Sequence, residues 1–286
     1  MQSLTKAPRA ALMQDLSGLG RCALSVALSV LGAMGVQGCA LPTAVLSTHT
    51  GGFGEVAIER MSDMLSRTLD HYQRLNARFE AVYIGYLASN DQAALAKRLI
   101  DTQRAQGAPV VVVDPVMADH GRLYKGIEAD RPQKMRALCA HAGLITPNLT
   151  EALMLAGRPC DERRMDAREA EELLDALLKL GAEAAIITGL ELSDGRCANA
   201  CMERGAGPAN WVYFKRVEAA YPGTGDLFTS VVTGALLNGR ALKDALALAT
   251  EFVRACVERT LAMGTPPREG VQFEGLLPLI MKRADK

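Results

Sequence analysis

The sequence has no net charge. Its 286 residues contain 32 Lys and Arg against 32 Asp and Glu. A nucleic-acid partner usually requires a basic excess, so the balance predicts a protein without such a partner. Aromatic residues make up only 5% of the chain, which disfavours an aromatic-lined binding module. The 49% of hydrophobic residues excludes a disordered chain, because disordered chains combine low hydrophobicity with high net charge.

Charged side chains are also absent from one long segment, residues 22–54, which contains 33 residues without Asp, Glu, Lys or Arg. Its length alone would suit a membrane span, which needs about 20 apolar residues. Polar residues, glycines and a proline nevertheless interrupt it every few positions: Ser25, Ser29, Gly32, Gly35, Gln37, Gly38, Pro42, Thr43, Ser47 and Thr48. The segment therefore predicts a buried helix followed by a buried strand, and we expect no membrane partner.

Cysteine pairs with metal-ligand spacing are absent. The seven cysteines are odd in number and scattered, without a Cys-x-x-Cys pair. They fit neither a zinc site nor a disulfide framework, and they predict reduced thiols in a cytoplasmic protein. The first nine residues also lack the apolar core of a secretory signal.

Two common nucleotide-binding motifs are missing or incomplete. No Gly-x-x-x-x-Gly-Lys-Ser/Thr sequence occurs, which excludes a P-loop. Residues 18–23 match the dinucleotide pattern Gly-x-Gly-x-x-Ala, but that pattern needs an acidic residue about 20 positions later to hold the ribose. The uncharged segment contains none, which disfavours a nicotinamide-dependent dehydrogenase.

The sequence does contain a regular alternation of short apolar runs and longer helical patterns. Four valines at 110–113 are typical of a strand that is covered on both faces of a parallel sheet. Strands are predicted at 10–14, 36–46, 81–86, 109–114, 143–146 and 184–188, with an edge hairpin at 197–202 and 211–215. Helices are predicted at 21–34, 55–75, 91–106 (with Asn90 as N-cap), 225–237, 242–262 and 276–283. The pattern predicts one α/β domain over 1–286, a doubly wound and mostly parallel sheet with helices on both faces.

Polar residues follow the predicted strands. In a parallel sheet, ligands bind beyond the carboxyl ends of the strands. The residues at these positions are Asp15, 47–50, Tyr86, 114–119, 146–148 and 188–189. Any one of them could be an ordinary polar loop residue, but the set as a whole predicts a ligand site at this edge.

The most specific element is Pro-Gly-Thr-Gly-Asp at 222–226, directly before an apolar helix. Glycines let backbone N–H groups turn towards a ligand at a helix N-terminus, where the helix dipole favours an anion. One interpretation is a capped turn without a ligand. The other is an anion hole for a phosphoryl group in transfer, with Asp226 as the base for an attacking hydroxyl.

Three motifs in this order resemble the ribokinase-like superfamily, and more narrowly the pyridoxal kinases. They are Gly-Thr-Gly-Asp at 223–226, Asp-Pro-Val-Met-Ala-Asp at 114–119 and Thr-Pro-Asn-Leu-Thr-Glu at 146–151. The resemblance extends over about residues 10–264. Hydroxymethylpyrimidine kinases are close relatives of this group, but Ser-Thr-His-Thr-Gly at 47–51 is more similar to the vitamin B6 kinases.

The resemblance implies an ATP-dependent kinase that uses Mg²⁺ to phosphorylate the 5′-hydroxyl of pyridoxal, pyridoxamine or pyridoxine. Whether a monovalent cation is used in addition stays open. It implies that Asp226 takes the hydroxyl proton. The amides that would stabilise the developing charge are those of Gly223, Thr224 and Gly225. The residues that would organise Mg²⁺, directly or through water, are Asp114, Asp119 and Glu151. Those that would lie near the phosphates or nucleotide are Thr146, Asn148 and Thr188.

The acceptor side departs from the resemblance at one point. Tyr86 and Thr50 would line the pyridine pocket. Many pyridoxal kinases place a serine against the pyridine nitrogen after the first strand, and here the match is either Asp15 or Ser17. An aspartate would favour a protonated pyridinium, although Asp15 could instead cap the following turn. Tyr124 would lie in a loop that closes over the phosphates, or would pack on the surface.

Other interpretations stay open. One is a hydroxymethylpyrimidine kinase, with the same chemistry on a different ring, and another is a non-catalytic vitamer-binding protein of the same fold. The resemblance also implies a homodimer. We expect His49 to contribute to the site through ring or backbone contacts, and His120 to be a solvated loop residue.

Overall fold

One central sheet organises the part of the chain that the structure describes. This computed structural model describes residues 6–161, 164–217 and 219–282. The strands are β1 Arg9–Leu19, β2 Gln37–Thr48, β3 Ile58–Arg60, β4 Ala81–Ile84, β5 Val110–Val113, β6 Ala118–Asp119, β7 Arg122–Leu123, β8 Leu144–Ile145, β9 Ala184–Glu191, β10 Cys197–Glu203 and β11 Asn210–Phe214. The sheet order is β11-β10-β9-β8-β5-β4-β1-β2-β3, and β6 and β7 form a separate hairpin.

Helices cover both faces of this sheet. They are α1 Ala23–Ala33, α2 Ser62–Arg74, α3 Gln92–Gln106, α4 Arg131–Cys139, α5 Leu149–Ala156, α6 Ala167–Leu178, α7 Thr224–Leu237 and α8 Leu242–Met263. Helices α1, α7 and α8 bury apolar side chains such as Leu24 and Phe252 on one face. Helices α2 to α6 bury Leu65, Leu173 and others on the opposite face. Among the described residues, no helix is long and apolar enough to span a membrane, and the uncharged segment forms α1 and β2.

The sheet is mostly parallel. Six neighbouring strands from β2 to β9 run parallel, and β3, β10 and β11 are antiparallel additions at its two edges. The valine strand β5 pairs with β4 on one side and β8 on the other, and its last three residues are buried. The predicted doubly wound α/β fold and its edge hairpin are therefore confirmed.

Three strands extend further than predicted. Strand β1 pairs with β2 as far as Leu19, with a register shift between Gln14 and Leu16. Asp15 and Ser17 therefore lie within β1, and the prediction that they follow the strand is wrong. Strand β2 likewise runs to Thr48, and β9 runs three residues beyond Thr188, to Glu191. Pairing with a neighbouring strand keeps these polar residues extended. Their side chain types are typical of loops, so the sequence did not predict the longer strands.

The predicted helix at 55–75 is wrong over its first part. Residues Ile58–Arg60 pair antiparallel with β2 as an edge strand, and α2 begins only at Ser62. The predicted helix at 276–283 is instead a short 3₁₀ turn, Glu274–Leu279, which contains Pro278. Proline lacks the N–H that an α-helix needs, which explains why the turn does not continue. Residue 283 lies outside the described residues.

Asn90 is not the N-cap of α3. The residue before the helix is Asp91, which makes no side-chain capping bond. The Asn90 amide instead donates to Asp130 Oδ1 at 2.5 Å, because α4 begins beside this loop.

The strand order places a crevice at one edge of the sheet. Strand β1 has β2 on one side and β4 on the other, and the helices that follow β1 and β4 cover opposite faces. Ligands of parallel α/β sheets bind at such a switch point, beyond the carboxyl ends of the strands. The N-terminus of α7 lies at the same edge, because Gly223 packs against the Arg21 backbone that follows β1.

Candidate active site

The glycine turn before α7 has a backbone that only glycine adopts readily. Gly223 is the N-cap residue, with φ of 85° in the left-handed region. A Cβ there would lie 1.9 Å from the carbonyl oxygen of Arg21, so the turn and the end of β1 are in direct backbone contact. Gly225 differs, because a Cβ there would meet no atom within 4 Å. The space beside the first turn of α7 is therefore open, at the end of the helix that attracts anions.

Asp226 lies in the first turn of α7 and receives a hydrogen bond from the backbone N–H of Ala23. Ala23 has a φ of 47°, which is unusual for a residue with a Cβ and points to a locally constrained backbone. Burial raises the pKa of Asp226, while the hydrogen bond from the Ala23 N–H opposes that rise. A carboxylate with a raised pKa is a better proton acceptor than an ordinary aspartate.

Asp15 and Ser17 lie together on β1. Ser17 Oγ donates to Asp15 Oδ2 at 3.0 Å, and both side chains are buried. Burial, and next the nearby charge of Asp226, raise the pKa of Asp15 to about 7. Asp15 and Ser17 were two alternative positions for the group that meets the pyridine nitrogen. In the structure the two side chains form one hydrogen-bonded pair near Asp226, so they are considered together.

This carboxyl predicts a pH dependence of stability. The pKa of Asp15 is about 7 in the folded protein and about 3.9 in an unfolded chain. Between these values the folded state keeps a proton that the unfolded state has lost, so the stability that Asp15 contributes is complete below about pH 4 and is lost as pH rises through 7. We expect Asp15→Asn to raise Tm relative to the parent at pH 8, by about 2–4 °C for each kcal/mol gained.

Thermal unfolding of parent and variant at pH 5 and pH 8 measures this effect. The difference in Tm between variant and parent is expected to grow from pH 5 to pH 8. Asp244→Asn, at an exposed position in the first turn of α8, serves as the control and is expected to show no such growth. An equal Tm difference at both pH values for Asp15→Asn would show that Asp15 titrates normally.

Asp114 follows β5 and is almost completely buried. Thr229 Oγ1 donates to Asp114 Oδ2 at 3.2 Å and is 3.0 Å from the hydroxyl oxygen of Thr146. Burial raises the pKa of Asp114 well above its usual range, and the charges of Glu151 and Asp226 add to the rise. Asp114 therefore lies within electrostatic reach of two other acidic groups, Glu151 in α5 and Asp226 in the first turn of α7.

Glu151 and Asn148 form the start of α5. Asn148 Oδ1 accepts from the Glu151 N–H at 2.9 Å, and Glu151 Oε2 accepts from the Asn148 N–H at 3.1 Å, which is a capping box. Glu151 Oε1 also accepts from the backbone N–H groups of Met117 and Ala118, at 2.9 and 3.3 Å. Burial raises the pKa of Glu151 to about 8 despite these donors. Glu151 thus holds the segment after β5 against α5, next to Asp114.

The β6–β7 hairpin carries Asp119, His120 and, just beyond it, Tyr124. Asp119 Oδ1 accepts the His120 N–H at 2.8 Å, and His120 forms the turn with φ of 48°. The His120 side chain is 84% exposed, which confirms the predicted solvated loop residue. Tyr124 is 40% exposed. Partial burial and the charges of Glu151, Asp119, Asp114 and Asp226, in that order, raise the pKa of its hydroxyl, which therefore lies within electrostatic reach of the acidic groups.

The acceptor-side residues differ in exposure. Thr50 is exposed, beyond the end of β2, and Tyr86 is half-buried, after β4. Thr43 Oγ1 donates to the carbonyl oxygen of Tyr86 at 2.9 Å. Burial raises the pKa of Tyr86, and the charge of Asp15 raises it further. Tyr86 and Asp15 therefore lie close enough for their charges to interact.

His49 is buried between the loop after β2 and the C-terminal segment. Its Nδ1 accepts the Gly51 N–H at 3.0 Å, and its Nε2 lies 2.7 Å from the carbonyl oxygen of Arg268. These partners assign the proton to Nε2. The ring also packs edge-on against Phe53, with centroids 5.0 Å apart, and a Cβ on Gly20 would lie 2.3 Å from His49 Cδ2. His49 therefore ties the loop after β2 to the C-terminal segment, and its contribution to the site stays a prediction.

Thr188 lies within β9, half-buried, and its N–H donates to the carbonyl oxygen of Pro147 at 3.0 Å. The next residue, Gly189, donates its N–H to Asn199 Oδ1 at 2.8 Å. Thr188 therefore lies beside the Thr146–Asn148 segment, on the side of the acidic groups away from Asp15.

Sequence reasoning missed two residues that contact the proposed site. Thr229 follows Asp226 by three positions, so helical spacing could have placed both on one face of α7. Ala23 could not have been found, because an alanine carries no sign that its backbone N–H reaches a carboxylate. The structure brings Asp15, Ser17, Tyr86 and Asp226 to one side of the crevice, and the motifs at 114–119 and 146–151 to the other.

Comparisons with known proteins agree with this architecture. The profile of the phosphomethylpyrimidine kinase family matches residues 25–269. A pyridoxine/pyridoxal/pyridoxamine kinase of Bordetella avium is 30% identical over 192 residues, which cover 64% of this chain and 63% of that protein. The chain thus spans just under two thirds of the length of this relative.

Solved structures match over nearly the full length. A proposed phosphomethylpyrimidine kinase from Bacteroides thetaiotaomicron, crystallised with pyridoxal, has a TM-score of 0.91 and 35% identity over 96% of both chains. The pyridoxal kinase of Lactobacillus plantarum has a TM-score of 0.86 and 35% identity over 96% of this chain and 97% of its own. The chain therefore belongs to the phosphomethylpyrimidine kinase family, a group of ribokinase-like phosphotransferases with an alcohol acceptor that includes the pyridoxal kinases.

Proposed function

We propose that this protein is an ATP-dependent kinase that transfers the γ-phosphoryl group of ATP to the 5′-hydroxymethyl group of a B6 vitamer (pyridoxal, pyridoxamine or pyridoxine). One observation carries the proposal. A half-buried carboxyl with a raised pKa, Asp226, lies in the same helical turn as the open space beside Gly225. Phosphoryl transfer to an alcohol requires a base for the hydroxyl proton and a site that binds the phosphoryl oxygens. The first turn of α7 offers both at one point.

In the proposed reaction, Asp226 accepts the proton of the acceptor hydroxyl. The hydroxyl oxygen then bonds to the γ-phosphorus, while the bond to the bridging oxygen breaks and ADP leaves. The N–H groups of Gly223, Thr224 and Gly225 stabilise the charge that spreads over the γ-phosphoryl oxygens, since first-turn N–H groups have no partner within the helix. Catalysis then comes mainly from positioning and charge stabilisation.

The acidic residues fit Mg²⁺ that arrives with the nucleotide. Within the described residues, no three His, Cys, Asp or Glu side chains form a ready cluster for a metal ion. Mg²⁺ usually takes one or two protein carboxylates and completes its shell with phosphates and water. We assign Asp114, Glu151 and Asp119 to that role, directly or through water, with Thr146, Asn148 and Thr188 towards the phosphates and nucleotide. When bound, Mg²⁺ would neutralise phosphate charge, and a monovalent cation could assist.

The acceptor ring would lie against Tyr86 and Thr50, with the Asp15–Ser17 pair at its nitrogen. Because the pKa of Asp15 is about 7, this pair can donate or accept a proton near neutral pH. A pyridine nitrogen, which is itself a weak base, is a suitable partner. A homodimer, a cytoplasmic location and a single domain over 1–286, with its core at about 10–264, belong to the same proposal.

A hydroxymethylpyrimidine or phosphomethylpyrimidine substrate is the alternative, because the matching family profile carries that description. The test is a panel of pyridoxal, pyridoxamine, pyridoxine and hydroxymethylpyrimidine with MgATP, in which phosphorylated products are detected by mass spectrometry. The proposal expects the highest kcat/KM with a B6 vitamer. A higher value with hydroxymethylpyrimidine supports the alternative, and binding without any phosphorylated product supports a non-catalytic vitamer-binding protein.

A further inference from the structure

Arg131 is a buried cation at an unfavourable place in the fold. It is 2% exposed, and among the described residues it has the largest volume of the fully buried side chains. It is also the first residue of α4, where the helix dipole disfavours positive charge. A buried charge is stable only when hydrogen-bond partners replace the lost water. The position of Arg131 therefore depends on the groups that its guanidinium meets.

Those groups belong to the loop after β4. Arg131 Nη1 donates to the carbonyl oxygen of Leu87 at 2.6 Å, and Nε donates to Asn90 Oδ1 at 2.7 Å. The Asn90 amide in turn donates to Asp130 Oδ1 at 2.5 Å and to Glu128. The guanidinium thus connects residues 87–90 to the end of the segment that carries Tyr124.

This loop also carries Tyr86, and other polar contacts fasten it. Arg60 Nε donates to the carbonyl oxygen of Ala88 at 3.2 Å, and the Ala88 N–H donates to Gln92 Oε1 at 2.8 Å. Arg131 is the buried cation among these partners, and it lies close enough to Tyr86 for their charges to interact. Among the described residues, the hydrogen bonds of its guanidinium go to this loop and not to a carboxylate. The carboxylates of Glu128, Asp130 and Asp91 lie close enough to interact with its charge.

We propose that Arg131 is a positioning residue that holds the Tyr86 loop in the orientation that binds the acceptor substrate. The inference rests on the proposed function, in which Tyr86 contacts the acceptor ring. It does not require Arg131 to touch substrate. Since the loop lies on the acceptor side, loss of the guanidinium should weaken the acceptor rather than MgATP.

Arg131→Met tests this, because methionine is of similar length and has no hydrogen-bond donors. The expected result is a rise of about tenfold in the KM for the vitamer, the loss expected for hydrogen bonds to a charged group. We expect kcat to change less than threefold and the KM for MgATP less than twofold, which are our thresholds for the test. Arg131→Lys should recover part of the effect, because a single ammonium can reach the Leu87 carbonyl without forming the second bond. Arg98→Met, which removes a half-buried guanidinium in α3 and its ion pair with Asp70 in α2, is the matched control and should leave every constant unchanged.

Hydrogen–deuterium exchange in residues 85–91 provides a readout that does not depend on activity. Exchange should increase in Arg131→Met and in Asn90→Leu, and stay unchanged in Arg98→Met. If Arg131→Met does not fold, Asn90→Leu takes its place in both measurements. An unchanged vitamer KM in folded variants, or unchanged exchange, overturns the inference. If the parent phosphorylates no acceptor, the proposed function fails, and the proposed role of Arg131 in acceptor binding fails with it. Hydrogen–deuterium exchange would still decide whether Arg131 holds the loop.

Discussion

Replacing Asp226 by Asn is expected to lower kcat by about 10²–10⁴-fold, the usual contribution of a general base. Asparagine keeps the shape of the side chain, and its Oδ1 can still accept the Ala23 N–H that Asp226 accepts now. What it loses is the ability to take up the proton of the acceptor hydroxyl. Because burial disfavours the charge of Asp226, the variant should be at least as stable as the parent. Steady-state kinetics with saturating MgATP, together with thermal unfolding, measure both effects.

A matched substitution separates the base from a general effect of removing a carboxylate near a helix N-terminus. Asp244 occupies the first turn of α8, as Asp226 does in α7, but it is exposed and away from the site. Asp244→Asn should therefore leave kcat unchanged. If Asp226→Asn retained kcat within about tenfold of the parent, below the usual range for a general base, Asp226 would not be the base.

Gly223→Ala is expected to abolish activity and to destabilise the fold strongly. The new Cβ would lie 1.9 Å from the carbonyl oxygen of Arg21, which is backbone and cannot rotate away. The φ of 85° adds a further penalty, about 1–2 kcal/mol for a residue with a Cβ in the left-handed region. Relief of the clash would move the turn away from β1, and with it the N–H groups and Asp226. Urea unfolding and kcat/KM measure the two losses.

Substitutions at two other glycines separate the two causes of the expected loss of stability, which are the positive φ and the clash with Arg21. Gly239 has a φ of 79° but open space around it, so Gly239→Ala carries the conformational penalty without the clash. Gly225→Ala meets no protein atom and should leave the fold intact, while the added methyl group occupies the space proposed for the phosphoryl group. We expect stability to follow the order Gly225→Ala, Gly239→Ala, Gly223→Ala, from highest to lowest. Equal stability of the last two would show that the contact between Gly223 and Arg21 is not tight.

Particular elements show where sequence reasoning succeeded. The valines of β5 predicted a strand covered on both faces, because an unbroken apolar run fits only a sheet with helices on each side. The Gly-Thr-Gly-Asp turn predicted its position at the start of an apolar helix, because glycine and a helix N-terminus have local physical signatures. The family followed from three motifs in order. The roles of the individual residues stay predictions until they are tested.

Other features depend on neighbours that are distant in the chain. Strand β1 extends through Asp15 and Ser17 because β2 pairs with it. From the sequence alone, these polar residues predict a loop. Asn90 contacts Asp130, 40 residues away, and so does not cap α3. The burial of Arg131 has no local signature, since a sequence does not show which guanidinium will meet a carbonyl oxygen.

The sequence by itself thus determined the α/β class, the family and the turn that carries Asp226, because each depends on local patterns or on ordered motifs. Only the tertiary structure decided that Asp15 lies near Asp226, that the Ala23 N–H binds Asp226, and that Arg131 donates to the Leu87 carbonyl oxygen in the loop after β4. The physical reason is that burial and long-range contacts set the pKa of a carboxyl group and the partners of a charge. These contacts arise only when strands and helices far apart in the chain pack together.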